Sequence, residues 1–203
     1  MAPSEPLKFH DFRTHFMNVV STELPGVIVL EPKVFGDSRG TFMETWQRKR
    51  YADLGMPTDW VQDNVSRSAR GVMRGLHYQL PQPQGKLVHV LDGEVLDVAV
   101  DIRVGSPSFG RAVVVALSAE NRRQIYVPAG FAHGFLVTGD RATVAYKCTD
   151  YYRPEFERGV RWNDPRLGIE WPVTDAVLSS KDAALPLLAD VPEELLPRYQ
   201  ADV

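Results

Sequence analysis

Residues 73–103, "MRGLHYQLPQPQGKLVHVLDGEVLDVAVDIR", decide the fold. The run is rich in Val, Leu and Ile, and its apolar residues alternate with polar ones. In "EVLDVAVDI" Val95, Asp97, Ala99 and Asp101 fall on one face, and Leu96, Val98, Val100 and Ile102 on the other. That period of two predicts strands, with the aliphatic face packed into a core. Asp92 and Gly93 carry the Asp-Gly signal of a tight hairpin between "KLVHVL" and "EVLDVAVDI". Within the same run stand Arg74, His77 and Lys86. Cations and an imidazole beside apolar strands are costly to bury without partners, so they lie on a solvated face or converge in a pocket. A regular strand would put Arg74 and His77 on opposite faces. A shared pocket therefore requires a bulge or twist at Gly75.

Outward from this stretch the pattern continues. "WVQDNVS", "AVVVALS", "RQIYVP", "HGFLVT" and "ATVAYKCTDYY" are short candidate strands punctuated by Gly, Pro, Asp or Asn. Upstream, "GVIVLEPKVFGDSRGTFMETW" reads as two strands broken at "GDSRG". "QRKRYADLG" is a short helix ended by Gly55, and "SKDAALPLLA" can form another near the end. The regular spacing of short strands predicts an all-β antiparallel sandwich or barrel with a few short helices. Residues 1–16 are polar and irregular and read as a flexible N-terminal extension, leaving 17–203 as one domain.

Bulk composition narrows the function classes. The chain has 203 residues, 44% of them hydrophobic, with 23 basic and 26 acidic residues for a net charge of -3. No basic excess marks a nucleic-acid surface. One cysteine, Cys148, excludes an intrachain disulfide. No apolar run is long enough to cross a bilayer, and "MAPSEPLKFHDFRTHF" lacks a signal-peptide core. A cytoplasmic protein with neither nucleic acid nor membrane as partner is the expectation.

Pro128, Gly130 and His133 in "RQIYVPAGFAHGFLV" have the Pro-x-Gly-x-x-His spacing of the second cupin motif, in which the histidine points into the barrel. Cupins are double-stranded β-helix jelly rolls that bury ligands in the barrel mouth. Many hold a metal through a His-x-His pair, but here the analogous place reads His77-Tyr78-Gln79. His89, Glu94 and His133 do not have ligand spacing either, so a metal-free site is expected. No G-x-G-x-x-G loop is present.

The ordered motifs "VFGDSRGTFMETW", "VQDN", "RGLHYQ", "QGKLVHVLDGEVLDVAVDIR", "SPSFG", "LSAENRRQIYVPAGFAHGF", "YKCTDYY", "WNDPRLGIEWP" and "SSKDAALPLL" resemble the dTDP-4-dehydrorhamnose 3,5-epimerase family, from about Val19 to about Leu188. The resemblance implies a cupin-type jelly roll whose N-terminal strands are exchanged in a homodimer. It implies an isomerase without a cofactor, which inverts C3 and C5 of a dTDP-4-keto-6-deoxy-D-glucose. His77 would be the base with Asp182 as its dyad partner, Lys86 the oxyanion stabiliser and Tyr146 the acid. Arg74 and His133 would complete the sugar and phosphate pocket. Arg39 would reach the diphosphate, in the neighbouring subunit. Glu44, Gln62 and Asn64 would line the nucleotide site, with Phe35 and Phe42 against the base, Tyr152 stacked near the thymine and Lys181 on a phosphate. A monoepimerase acting at C3 or C5 uses the same residues. A metal-dependent oxygenase and a non-catalytic sugar-nucleotide binder are the other classes.

Without the resemblance these residues have plainer readings. His77 and His133 would be ordinary polar-pocket histidines, Tyr146 a core tyrosine with a satisfied hydroxyl, and Lys86 and Arg39 solvated charges. Asp182 would be a helix N-terminal acid, and Phe35 and Phe42 core. Cys148 reads as a small strand residue, and Trp46, Trp60, Trp162 and Trp171 as packing anchors.

Overall fold

The structure is a computed structural model that describes residues 16–200. The expected extension lies outside the described residues except for Phe16. Two long antiparallel strands, β7 (Lys86–Asp101) and β10 (Phe131–Cys148), pair along most of their lengths and form the spine. Each changes its outer partner halfway. The first half of β7 pairs with β9 (Gln124–Val127), and the second with β8 (Ala112–Ser118). The first half of β10 pairs with β6 (Met73–Gln79), and the second with β5 (Gln62–Ala69). One layer thus continues from β9 to β2 (Ile28–Pro32) and β1 (Met17–Ser21), and the other from β6 to β11 (Glu157–Gly159). Spine strands shared between two layers make the double-stranded β-helix of the cupin type.

The expected Asp-Gly hairpin is not formed: β7 runs unbroken through Asp92 and Gly93, which lie opposite Thr143 and Ala142 of β10. The glycine is required for a different reason. Gly93 has φ +77°, and a Cβ there would collide with the Arg141 carbonyl. It marks the bulge where β7 bends from one layer to the other. For the same reason "HGFLVT" and "ATVAYKC" are one strand.

These bulges reverse which side chains face inward. On β7 the interior positions are Lys86, Val88 and Val90, then Val95, Asp97 and Ala99. On β10 they are His133, Phe135 and Val137, then Ala142, Val144, Tyr146 and Cys148. On β6 they are Arg74, then His77 and Gln79. The switch on β6 occurs at the expected place. Gly75 has φ +124°, a Cβ on it would sit 2.6 Å from the Gly134 Cα, and the β6–β10 register shifts here.

Interior valines, Ile125, Phe131 and Phe135 fill one end of the barrel. The outer face of "EVLDVAVDI" also packs as expected: Val98, Val100 and Ile102 join Met73, Leu76 and Tyr78 under the C-terminal segment. Trp162 and Trp171 meet edge-on there, at 5.3 Å between ring centroids. Trp46 and Trp60 pack against a third cluster around Tyr51, in the short helix α1 (Arg48–Ala52). A second short helix, α2 (Ser180–Ala183), crosses the open end of the barrel beside β6. The segment from Val34 to Met43 forms its own two-stranded ribbon, β3 (Val34–Asp37) and β4 (Gly40–Met43), which pairs only with itself.

Candidate active site

The open end of the barrel holds a cavity of about 560 Å³. Its walls combine the interior positions of β5, β6, β7 and β10 with residues delivered from β11 and α2. His77, Asp182, Lys86, Tyr146, Gln62, Asn64, Arg74, His133, Tyr152 and Lys181 all line it.

The centre is His77. Its Nε2 lies 2.5 Å from Oδ1 of Asp182, whose side chain is 5% exposed. Ser179 caps α2 by accepting from the Asp182 backbone N–H at 3.1 Å, which fixes where that carboxylate stands. Burial works to raise the Asp182 pKa, but the hydrogen bond and charge of His77 outweigh it and hold the carboxyl below its ordinary range. An ionised Asp182 accepts the Nε2 proton, which leaves the lone pair on Nδ1, 3.7 Å from Oε1 of Glu157.

A second buried carboxylate serves the second histidine. His133 Nε2 lies 3.0 Å from Asp97, which is completely buried. His133 and His77 are register partners on β10 and β6, so the two pairs stand side by side. Lys86 enters from β7, and among the described residues no hydrogen bond or ion pair holds it. Burial pulls its pKa below the ordinary lysine range, against the attraction of Cys148, Glu157 and Asp97. Tyr146 lies in the distal half of β10, opposite Asn64 and Val88. Burial raises its pKa, with Cys148 and Glu157 adding to the effect and Arg74 opposing it, so the hydroxyl keeps its proton at neutral pH. Arg74 Nε donates to Ser68 Oγ at 3.0 Å, leaving the two terminal nitrogens of its fork for a ligand. Gln62 accepts from the Tyr152 N–H at 2.8 Å and donates to Asn64 at 2.9 Å. Cys148 is buried and receives Asn64 Nδ2 at 3.6 Å.

Four candidate residues do not line this cavity, one of them, Arg39, being expected in the neighbouring subunit's site. Arg39, Phe35 and Phe42 lie on the β3–β4 ribbon, and Glu44 directly follows it. Phe42 is 71% exposed, Arg39 pairs with Asp37 at 2.5 Å, and Glu44 pairs with Arg50 at 2.6 Å. Among the described residues the ribbon pairs with no other strand, and none of the four lines the cavity. The sequence reading also missed groups that the fold supplies, chiefly Glu157, Asp97 and Ser179. Asp97 had a visible signal, a carboxylate alternating with Val95 and Ala99. Glu157, in "RPEFERG", had none. His89 and Glu94 do not line the cavity. Among the described residues no group of three or more His, Cys, Asp or Glu side chains converges as metal ligands, and no helix is long and apolar enough to cross a membrane.

Residues 21–190 match the family model for dTDP-4-dehydrorhamnose 3,5-epimerase. A relative of that name from Shigella flexneri is 55% identical over 168 residues, 82% of this chain and 93% of the relative. One from Pseudomonas aeruginosa is 54% identical over 176 residues, 86% and 97% of the two chains. A crystal structure of a dTDP-6-deoxy-D-glucose-3,5-epimerase from Legionella pneumophila, in complex with dTDP-4-keto-L-rhamnose, superposes with a TM-score of 0.89. It is 57% identical and covers 91% of this chain and 100% of that one.

Proposed function

The chain belongs to the dTDP-4-dehydrorhamnose 3,5-epimerase family, and we propose that it inverts C3 and C5 of dTDP-4-keto-6-deoxy-D-glucose to give dTDP-4-keto-L-rhamnose without a cofactor. The chemistry supports this reading. Both carbons adjoin the C4 ketone, so each C–H is acidified by delocalisation of the resulting carbanion onto oxygen. The chain must supply a base, a donor for the enolate oxygen, and an acid on the opposite face.

The observation that carries the proposal is the short His77–Asp182 contact, which leaves Nδ1 unprotonated on a ring that lines the same cavity as Lys86 and Tyr146. His77 Nδ1 takes the proton, and Asp182 holds the ring and stabilises the imidazolium. Lys86 donates to the C4 oxygen, and the negative charge that develops there favours the protonated amine that burial alone disfavours. Tyr146 returns a proton to the other face. Arg74, His133 and Lys181 hold the sugar and diphosphate, and Gln62, Asn64 and Tyr152 the nucleoside.

The test is turnover of metal-stripped protein in deuterated water, with the deuterium located by NMR. Product with deuterium at both C3 and C5 is expected, and chelator should not change the rate. Deuterium at one position only would favour a monoepimerase. Absence of both turnover and exchange would overturn the reading.

The ribbon bears on assembly. Its exposed Arg39, Phe35 and Phe42 do not line their own chain's cavity, and we propose a homodimer in which they complete the partner's nucleotide site. Two inactive homodimers, Arg39→Ala and His77→Ala, should then regain activity on subunit exchange. Half the dimers would be mixed, each with one intact site, so about a quarter of the parental rate is expected. Mixtures that exchange subunits yet stay inactive would overturn it.

A further inference from the structure

We propose that Glu157 is a positioning residue for the base, holding a negative charge against Nδ1 of His77 from the side opposite Asp182, with Lys181 as its counterweight. The proposal rests on the reading of His77 as the base. Antiparallel pairing of β11 with β6 sets Glu157 opposite Gln79 and Gly159 opposite His77. The glutamate side chain therefore rises on the same face as the imidazole. Its Oε1 lies 3.7 Å from His77 Nδ1. Its Oε2 is already taken, receiving Lys181 Nζ at 2.6 Å and Tyr152 Oη at 2.5 Å. One oxygen is thus anchored by two donors and the other is left directed at the ring. The side chain is 16% exposed, so water screens this charge poorly.

Burial works to raise the Glu157 pKa, but the bonds from Lys181 and Tyr152 outweigh it and keep the group ionised at neutral pH. An anion beside an imidazole favours the protonated ring, which makes Nδ1 a better proton acceptor. Lys181 draws off part of that field. The other charged or titratable groups around the ring remain unchanged by alterations at these two positions. They are Asp182 of α2, Arg74 on the same strand, His133 with its partner Asp97, and Lys86 and Tyr146 across the cavity.

A merely structural bridge between β11 and α2 makes a different forecast from an electrostatic one. Breaking the bridge from either end has the same structural consequence but opposite electrostatic consequences. In the pH profile of kcat/KM of the full-length protein, Glu157→Gln should move the acidic limb toward lower pH. Its plateau kcat should fall by about tenfold or more, since the base is weakened. Lys181→Met should move the same limb toward higher pH. Glu157→Asp, which keeps the charge, should lie between Glu157→Gln and the parent. The proposal is overturned if both ends move the limb the same way, or if neither moves it and only KM changes. The two readings separate cleanly. Exchange surviving in His77→Ala would remove the base itself. An inert His77→Ala with unmoved limbs in the other variants would remove only the role given to Glu157.

Discussion

His77→Ala should lose deuterium entry at C3 and at C5 together, with turnover falling by about 10⁴-fold, the upper end of what a general base contributes. Both positions fail because both protons leave to the same nitrogen. With Nε2 committed to Asp182 at 2.5 Å, Nδ1 is the ring atom with a free lone pair in the cavity. Asp182→Asn tests the same logic from the other side. An amide can donate to Nε2, which would place the ring proton on Nδ1 and block the base with the geometry intact. A wrong-tautomer loss of this kind costs on the order of 10³- to 10⁴-fold. NMR of residual substrate gives the exchange and coupled product assays give the turnover. Near-parental exchange in His77→Ala would end the assignment of the base.

Much of this site was legible because its residues sit on strands whose alternation is plain. The need for a break at Gly75 followed from Arg74 and His77 alone, and the register shift lies there. The same arithmetic failed at Gly93, because Asp-Gly signals a positive φ without saying whether the chain reverses or merely bulges. Here the neighbouring strand decides, since β10 runs past both halves of β7. What stayed illegible depends on contacts far apart in sequence. Glu157 reaches His77 only because a three-residue strand is added to the edge of β6. The ribbon residues Phe35 and Phe42 looked like site or core from sequence and Arg39 like a site residue, yet among the described residues all three stay exposed. Burial of a short motif is set by its neighbours in space, which the order of residues within the motif does not give.

Tyr146→Phe should separate exchange from inversion. The hydroxyl keeps its proton at neutral pH because burial, reinforced by Cys148 and Glu157, raises its pKa against the pull of Arg74. It can therefore deliver a proton to an enolate. Phenylalanine removes the acid and little else, since among the described residues no hydrogen bond holds that hydroxyl and the ring still packs against the valines of the barrel interior. Proton removal by His77 continues in this variant. The imidazolium exchanges its proton with D₂O and returns a deuteron to the face it came from. Substrate should thus gain deuterium with its original stereochemistry, while product formation falls by about 10²- to 10⁴-fold, the worth of a general acid. Exchange that outlasts inversion is the signature, read as deuterium in recovered substrate against the rate of product release. If Tyr146→Phe inverts both centres at the parental rate, the proton comes from elsewhere. If exchange and inversion fall by the same factor, Tyr146 is needed before the enolate forms, and its part is to place the sugar against His77.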